Sequence, residues 1–210
     1  MDTIRSLELI IARYQEDISW TNNINQKFTI TIYDKFYNNY IQLPNVGREG
    51  HTYLYHICHN YENLSDINLF SQGDPVFHDN IFIEKINTLN LNELDVSKPL
   101  FFGTSGIEGI HGNNYHKHPN GLPIYYFLDL LFDIKSKPDD KFEIHYGGIF
   151  LITKEIIYLR PRNFYKFLLN LLSSEIDPIE GYIIERLWQF IFNPDFKLSN
   201  KYKLFVQNFD

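Results

Sequence analysis

The sequence predicts an α/β fold, a three-layer domain built around a mostly parallel sheet. Three observations predict it. β-rich apolar runs alternate with segments whose apolar residues recur at helical spacing, in the order strand, helix, strand, turn, helix, strand. The chain has 210 residues, 44% of them hydrophobic, which suits one domain over residues 1–210 with a substantial core. Charged residues stand just past three of the apolar runs, at Arg13, Asp34 and Asp74, as happens where buried strands surface along one sheet edge.

Taken in order, residues 7–11 form a β-prone apolar run that exits through Arg13, Tyr14, Glu16 and Asp17. The two acids precede Ile18 and Trp20, as in the first turn of a short helix. Residues 28–33 read as a second strand ending at Asp34, and 40–43 as a short extended piece. Pro44, Gly47 and Gly50 then bracket Arg48 and Glu49, a sharp turn that presents two opposite charges beside a helix N-terminus. From Gly50, the residues Tyr53, Leu54, Ile57, Cys58, Tyr61 and Leu64 make one apolar helix face, with His51, Tyr55, His59 and Glu62 on the other.

Residues 67–70 are strand-like and stop at Ser71-Gln72-Gly73-Asp74-Pro75, which sets a carboxylate at a strand's C-terminal edge. In open α/β sheets that edge is where ligands bind. Residues 82–94 read as a helix and 100–102 as a strand, while 106–123, rich in Gly, His and Asn, reads as a long loop and a lid over a polar ligand. Its histidines, His111, His116 and His118, lack the partners of a structural zinc site. Residues 124–134 read as a buried helix. Residues 142–153 read as two β-rich runs split by Gly147-Gly148, a bulge or a point of close ligand approach. Helices follow at 154–157, 163–172 and 182–192, the last with Glu185 and Arg186 set in an otherwise apolar stretch. An acid in such surroundings needs a partner or a task.

A formal charge of −7 leaves no broad basic surface for nucleic acid. The lone cysteine, Cys58, excludes an internal disulfide and lies on the apolar helix face, as an inert core thiol would. No apolar run approaches the length of a membrane span and no signal-peptide pattern opens the chain, so a soluble, cytoplasmic protein is expected. With 15 Tyr and 18 Phe there is aromatic surface enough for an oligomer.

P-loop, GxGxxG, HExxH and GxSxG patterns are all absent, which removes the usual signatures of ATPases, dinucleotide oxidoreductases, zincins and α/β-hydrolases. What remains is an acid-rich crevice. Asp74 suits a hard divalent cation, Mn²⁺ or Mg²⁺, held jointly with phosphate oxygens, and it equally suits an ordinary turn. Glu185 is either a general base with its pKa raised by burial or a structural partner of Arg186, Arg48 or Arg13. Arg13 and Arg48 are candidates to hold a diphosphate. Tyr14, Asp17, Asp34, Glu49, His51, Gln72, Gly147 and Gly148 complete the substrate-binding candidates.

The segments ARYQEDISW (12–20), LPNVGREGHTYLYHI (43–57), LFSQGDP (69–75), YGGIFLITKEII (146–157) and ERLW (185–188) occur in an order that resembles a widespread, largely uncharacterised domain family. Its pattern is similar to that of GT-A glycosyltransferases. The resemblance implies a Rossmann-like, GT-A-like domain that binds a nucleotide-sugar at the strand ends and transfers the sugar to a glycan or protein acceptor. It implies that Arg13 and Tyr14 lie near the nucleotide, that Gln72-Gly73-Asp74 stands at the metal-binding DxD, that Gly147-Gly148 flanks the acceptor-side strand, and that Glu185 is the late acid serving as base. Gln72 replaces the first DxD carboxylate. That departure favours a rival reading, a non-catalytic carbohydrate-binding or scaffolding module on the same fold. A nucleotide-sugar hydrolase, with water as acceptor, is a third.

Overall fold

The computed structural model of the chain describes residues 6–206 except 38, 92, 111–120 and 138. Strand β1 (Leu7–Arg13) lies between β2 (Thr29–Asp34) and β4 (Ile67–Gln72), and β3 (Ile41–Gln42) lies outside β2. All three pairings are parallel, so these strands end on one edge. The register sets Arg13 beside Asp34 and Ala12 beside Gln72. On the far side of β4, β8 (Phe150–Thr153) runs antiparallel, and β5 (Leu100–Phe101) pairs with it to finish a six-stranded sheet. Because β8 is reversed, its N-terminal end, preceded by Gly147-Gly148, meets the C-terminal end of β4.

Alternation along the central strands supplies two cores. Ile10, Phe70, Phe150 and Ile152 bury on one face with α1 (Arg48–Asn60), α3 (Ile124–Phe132), α4 (Lys154–Ile157), α5 (Arg162–Leu171), α6 (Ile179–Ile191) and α7 (Asn200–Val206). Leu9, Ile11, Leu69 and Leu151 bury on the other with Trp20, Phe102 and α2 (Phe82–Thr88). The result is a mixed α/β architecture with helices on both faces of a mostly parallel sheet. Helix α6 is anchored by Ile183, Ile184, Leu187, Trp188 and Ile191, all essentially inaccessible. At roughly 1.5–3 kcal/mol for each large apolar side chain, this burial holds the polar residues of α6 in place. The buried Arg160 also donates to the carbonyls of Ile191, Phe190 and Asn193, capping the C-terminal end of α6.

Several elements differ from the sequence expectation. The first acids are followed by a single 3₁₀ turn, Ser19–Asn23. Helix α2 stops at Thr88 rather than at 94, where Leu89 turns extended and a further turn forms at Asn90. Asn, which bonds its own backbone in turns, favours that break. The stretch expected as a loop from 106 begins instead inside β6 (Ser105–Gly109). Its partner is β7 (Lys141–His145), so the two runs around Gly147-Gly148 belong to different sheets. The reason is conformational: Gly147 and Gly148 have φ of +89° and +59°, a reversal that carries the chain from the two-stranded β6–β7 sheet into the main sheet. His111, His116, His118 and most of the expected lid lie outside the described residues.

No helix among the described residues is long and apolar enough to cross a membrane.

Candidate functional site

The first cluster forms at the ends of β1 and β2. Arg13 Nη1 meets Asp34 Oδ2 at 2.5 Å, and Arg13 Nε donates to the carbonyl of Glu16 at 2.9 Å. Asp34 is fully buried, and its other oxygen accepts the N–H groups of Phe36 and Tyr37, both at 2.8 Å. Its carboxylate therefore fixes the turn after β2 and orients Arg13. The guanidinium lies 5.3 Å from the ring centroid of Tyr37 and 5.9 Å from that of Tyr40. Tyr14, Phe36, Tyr37 and Tyr40 leave an exposed aromatic shelf beside it.

The second cluster forms where α1 begins. Gly47 and Arg48 are both left-handed, with φ of +60° and +52°. Arg48 pays a strain of order 1–3 kcal/mol there. Lys35 holds this turn by donating its ammonium to the carbonyls of Val46 and Arg48. Burial brings the Lys35 amine down to about 8 despite nearby Glu49. The Arg48 guanidinium is ringed by acids: Glu185 at 3.4 Å, and Glu49 and Asp177 each at 3.8 Å. It also lies over the ring of Tyr182, 4.3 Å from its centroid.

Glu185 is the deepest of these acids. Its Oε1 accepts the N–H of Gly147 at 2.9 Å and its Oε2 faces Arg48. Burial, then the like charge of Glu49, raises its pKa; Arg48, the Gly147 N–H and Arg186 oppose the shift. Arg186 approaches Glu185 at only 3.9 Å, because its main partner is Glu108, a buried bidentate pair at 2.6 and 3.0 Å. That pair fastens the two-stranded β6–β7 sheet to α6.

The candidates at the end of β4 occupy a shallower position. Gln72 donates from Nε2 to the Gly147 carbonyl at 3.3 Å. Glu16 packs over Gly73, where an added Cβ would lie 2.5 Å from Glu16 Oε2. Asp74 is exposed and accepts the N–H of Phe77 at 3.2 Å, capping a 3₁₀ turn. Both oxygens of Asp17 accept from Ser19. Among the described residues, no group of three His, Cys, Asp or Glu side chains is arranged to hold a metal ion. Asp74 therefore fits a cation only as one carboxylate beside ligand phosphate oxygens, a common arrangement for Mg²⁺.

Three adjoining clefts run along this edge. The central one, about 210 Å³, is walled by Arg13, Tyr14, Lys35, Arg48, Glu49 and Gln72. A second, about 480 Å³, shares Tyr14 and Arg48 with it and adds Asp177 and Tyr182. A third, about 330 Å³, is bounded by Glu16, Asp17, Trp20 and Asp74. The structure thus gathers Arg13, Tyr14, Arg48, Glu49 and Gln72 at one cleft, with Glu185 and Gly147-Gly148 behind it and Asp17 and Asp74 on its flank. Asp34 and His51 are set back from it. His51 is buried beneath Gly47, and burial followed by the nearby Lys35 charge pulls its pKa down to about 4, so it is neutral at pH 7.

Sequence reasoning missed Lys35, Tyr53, Asp177 and Glu108 as parts of this assembly. Lys35 directly follows Asp34 and was within reach of the same strand-exit logic. Glu108 and Asp177 carry no local signal, since their partners are 78 and 129 positions away. Tyr53 reads as core, and it is core; only its hydroxyl matters, being fully buried without a hydrogen-bond partner among the described residues.

Residues 9–99 match the model of a family described as a protein of unknown function (DUF3431). No curated protein and no solved structure matches the chain. The matched stretch carries Arg13, Arg48, Glu49, Gln72 and Asp74 but ends before Glu108, Gly147 and Glu185.

Proposed function

We propose that this chain is a nucleotide-sugar-dependent glycosyltransferase of GT-A-like, Rossmann-like architecture, moving a sugar to a hydroxyl acceptor. One observation carries the reading: parallel strand ends gather cationic, acidic and aromatic side chains at one cleft, backed by the largely buried carboxylate of Glu185, 9% exposed, with its raised pKa. Ligands of open α/β sheets bind at that edge. A base works best with its pKa near the working pH, and burial moves Glu185 in that direction.

In this scheme the exposed shelf at Tyr14 receives the planar part of the nucleotide, and Arg13 and Arg48 face its phosphates. Both guanidiniums already have carboxylate partners, which orient them toward the cleft. A divalent cation, when bound, would neutralise charge on the departing diphosphate, with Asp74 as its protein ligand. Glu185, fixed by the Gly147 N–H, belongs to the group that takes the acceptor's proton.

A second reading has an observation of its own. Gln72 is neutral and engaged with the Gly147 carbonyl, which favours a carbohydrate-binding module without transfer chemistry.

The deciding experiment is a thermal-shift panel of nucleoside diphosphates and nucleotide-sugars, with and without Mn²⁺ or Mg²⁺. A ligand that binds only the folded chain raises its melting temperature by mass action. A metal-dependent rise for one nucleotide, lost in Asp74→Ala and in Asp74→Asn, supports the transferase; product analysis then separates transfer from hydrolysis. Asp74→Asn is the sharper variant, since an amide oxygen still caps the turn. No rise at millimolar ligand sinks the transferase and leaves Asp74 as a capping residue.

A further inference from the structure

We propose that Glu49 and Glu185 form a working carboxylate pair that holds one proton between them, with Glu49 as the cleft-facing member that meets the acceptor hydroxyl. The acceptor role rests on the transferase reading above; the pair itself does not.

The geometry is that of two acids sharing one cation. Arg48 presents Nε to Glu49 at 3.8 Å and Nη1 to Glu185 at 3.4 Å. Both carboxylates also border the Gly147-Gly148 reversal. Glu185 accepts the N–H of Gly147, and Glu49 Oε1 lies 3.7 Å from where a Cβ on Gly148 would be. Glu49 lines the central cleft, whereas Glu185 sits behind it. The two differ in access but share an electrostatic environment.

The groups facing the pair can be enumerated. From α1 come Arg48 and the Tyr53 hydroxyl, and from the β2–β3 connection comes Lys35. Arg186 and Tyr182 come from α6, Asp177 from the loop before it, and His78 from the turn after β4. Glu108 already takes up most of the charge of Arg186. Four carboxylates (Glu49, Glu108, Asp177 and Glu185) thus face two guanidiniums (Arg48 and Arg186) and the Lys35 amine, whose charge burial disfavours, in a region where uncompensated charge is costly. One proton on the pair removes the excess. Tyr53 adds a fully buried hydroxyl without a hydrogen-bond partner among the described residues, with Glu49 and Glu185 as its acidic neighbours.

In transfer, the acceptor O–H gives its proton to the ionised member of the pair. The acceptor oxygen forms its bond to the anomeric carbon as the bond from that carbon to the diphosphate breaks, and the diphosphate leaves with the electron pair.

The test is a pH titration of side-chain carboxyl signals by ¹³C NMR on glutamate-labelled protein, with no ligand present. Wild type is expected to show a raised, two-step titration of Glu185, since coupled acids titrate as a pair. Glu185→Gln should remove the raised signal. In Glu49→Gln the Glu185 midpoint should fall by about one unit or more, and in Glu49→Asp, which keeps the charge, it should stay near wild type. Independent one-step curves in wild type overturn the pair, as does an unmoved Glu185 midpoint in Glu49→Gln. The wild-type curves decide even if that variant fails to fold. Because no nucleotide is needed, a failure here counts against the pair, whereas failure of the nucleotide panel counts against the transferase.

Discussion

Glu185 reaches across from α6 to accept the backbone N–H of Gly147 at 2.9 Å, joining the least exposed of the three acids around Arg48 to the reversal that starts β8. The contact depends on a backbone shape that only glycine adopts without strain. At Gly147 an added Cβ would lie 2.8 Å from the His78 ring and 3.2 Å from Gln72 Nε2, at a φ of +89°. At Gly148 the nearest atoms are 3.7 Å away, at a φ of +59°. Gly147→Ala is therefore expected to cost about 2 kcal/mol or more, and Gly148→Ala about 1 kcal/mol. Urea unfolding of the two variants checks the order; equal losses would mean that the steric difference is absorbed.

Arg48 is the hub of the acids. Removing it leaves Glu49, Asp177 and Glu185 without their common cation, so Arg48→Ala should lose about 3 kcal/mol or more of stability. Arg48→Lys should recover only part, because one ammonium cannot present two nitrogens to separate carboxylates while lying over Tyr182. Denaturant midpoints at pH 5 and pH 8 would measure this. A lysine variant as stable as wild type would show that charge alone suffices.

Stability should depend on pH in two opposite senses. The Glu185 pKa is raised on folding, so its contribution is full below the ordinary glutamate value near 4.5 and is lost as pH rises through its folded-state value. His51 is shifted the other way, from 6.5 to about 4. Its contribution is full above 6.5 and is lost as pH falls toward 4, up to about 3 kcal/mol in all. Burial lowers His56 in the same direction. The stability profile should fall on both sides of an intermediate pH. Glu185→Gln should flatten the alkaline arm and His51→Phe the acid arm, read as melting temperature against pH. If both variants keep the wild-type profile, these two groups do not set it.

The Glu108–Arg186 pair sits inside the protein with both side chains 1% exposed. Glu108→Gln should cost about 3–5 kcal/mol by stranding the guanidinium. Glu108→Met combined with Arg186→Leu should recover most of it, since a well-packed apolar pair can replace a buried ion pair. A double variant as weak as the single one would mean that the polar contacts of Glu108 to Tyr146 and of Arg186 to the Tyr182 carbonyl carry the loss.

What the sequence determined by itself was the alternation of strands and helices and the placing of charge at strand exits. Apolar period and turn residues are local properties, so Leu7–Arg13, Ile67–Gln72, α1 and α6 were legible, and with them Arg13, Arg48, Gln72, Asp74 and Glu185 as edge or interior polar groups. The tertiary structure alone decided which of these meet. Glu185 lies 137 positions from Arg48, and no pattern in either helix specifies their contact. It also decided that the runs flanking Gly147-Gly148 part into two sheets, because strand pairing is set by which edges and apolar faces remain free once the parallel core has formed. Lys35, Tyr53 and Glu108 joined the assembly for the same reason. A residue's type fixes what it can do, and its neighbours, brought in from distant parts of the chain, fix its charge, its orientation and its access to a ligand.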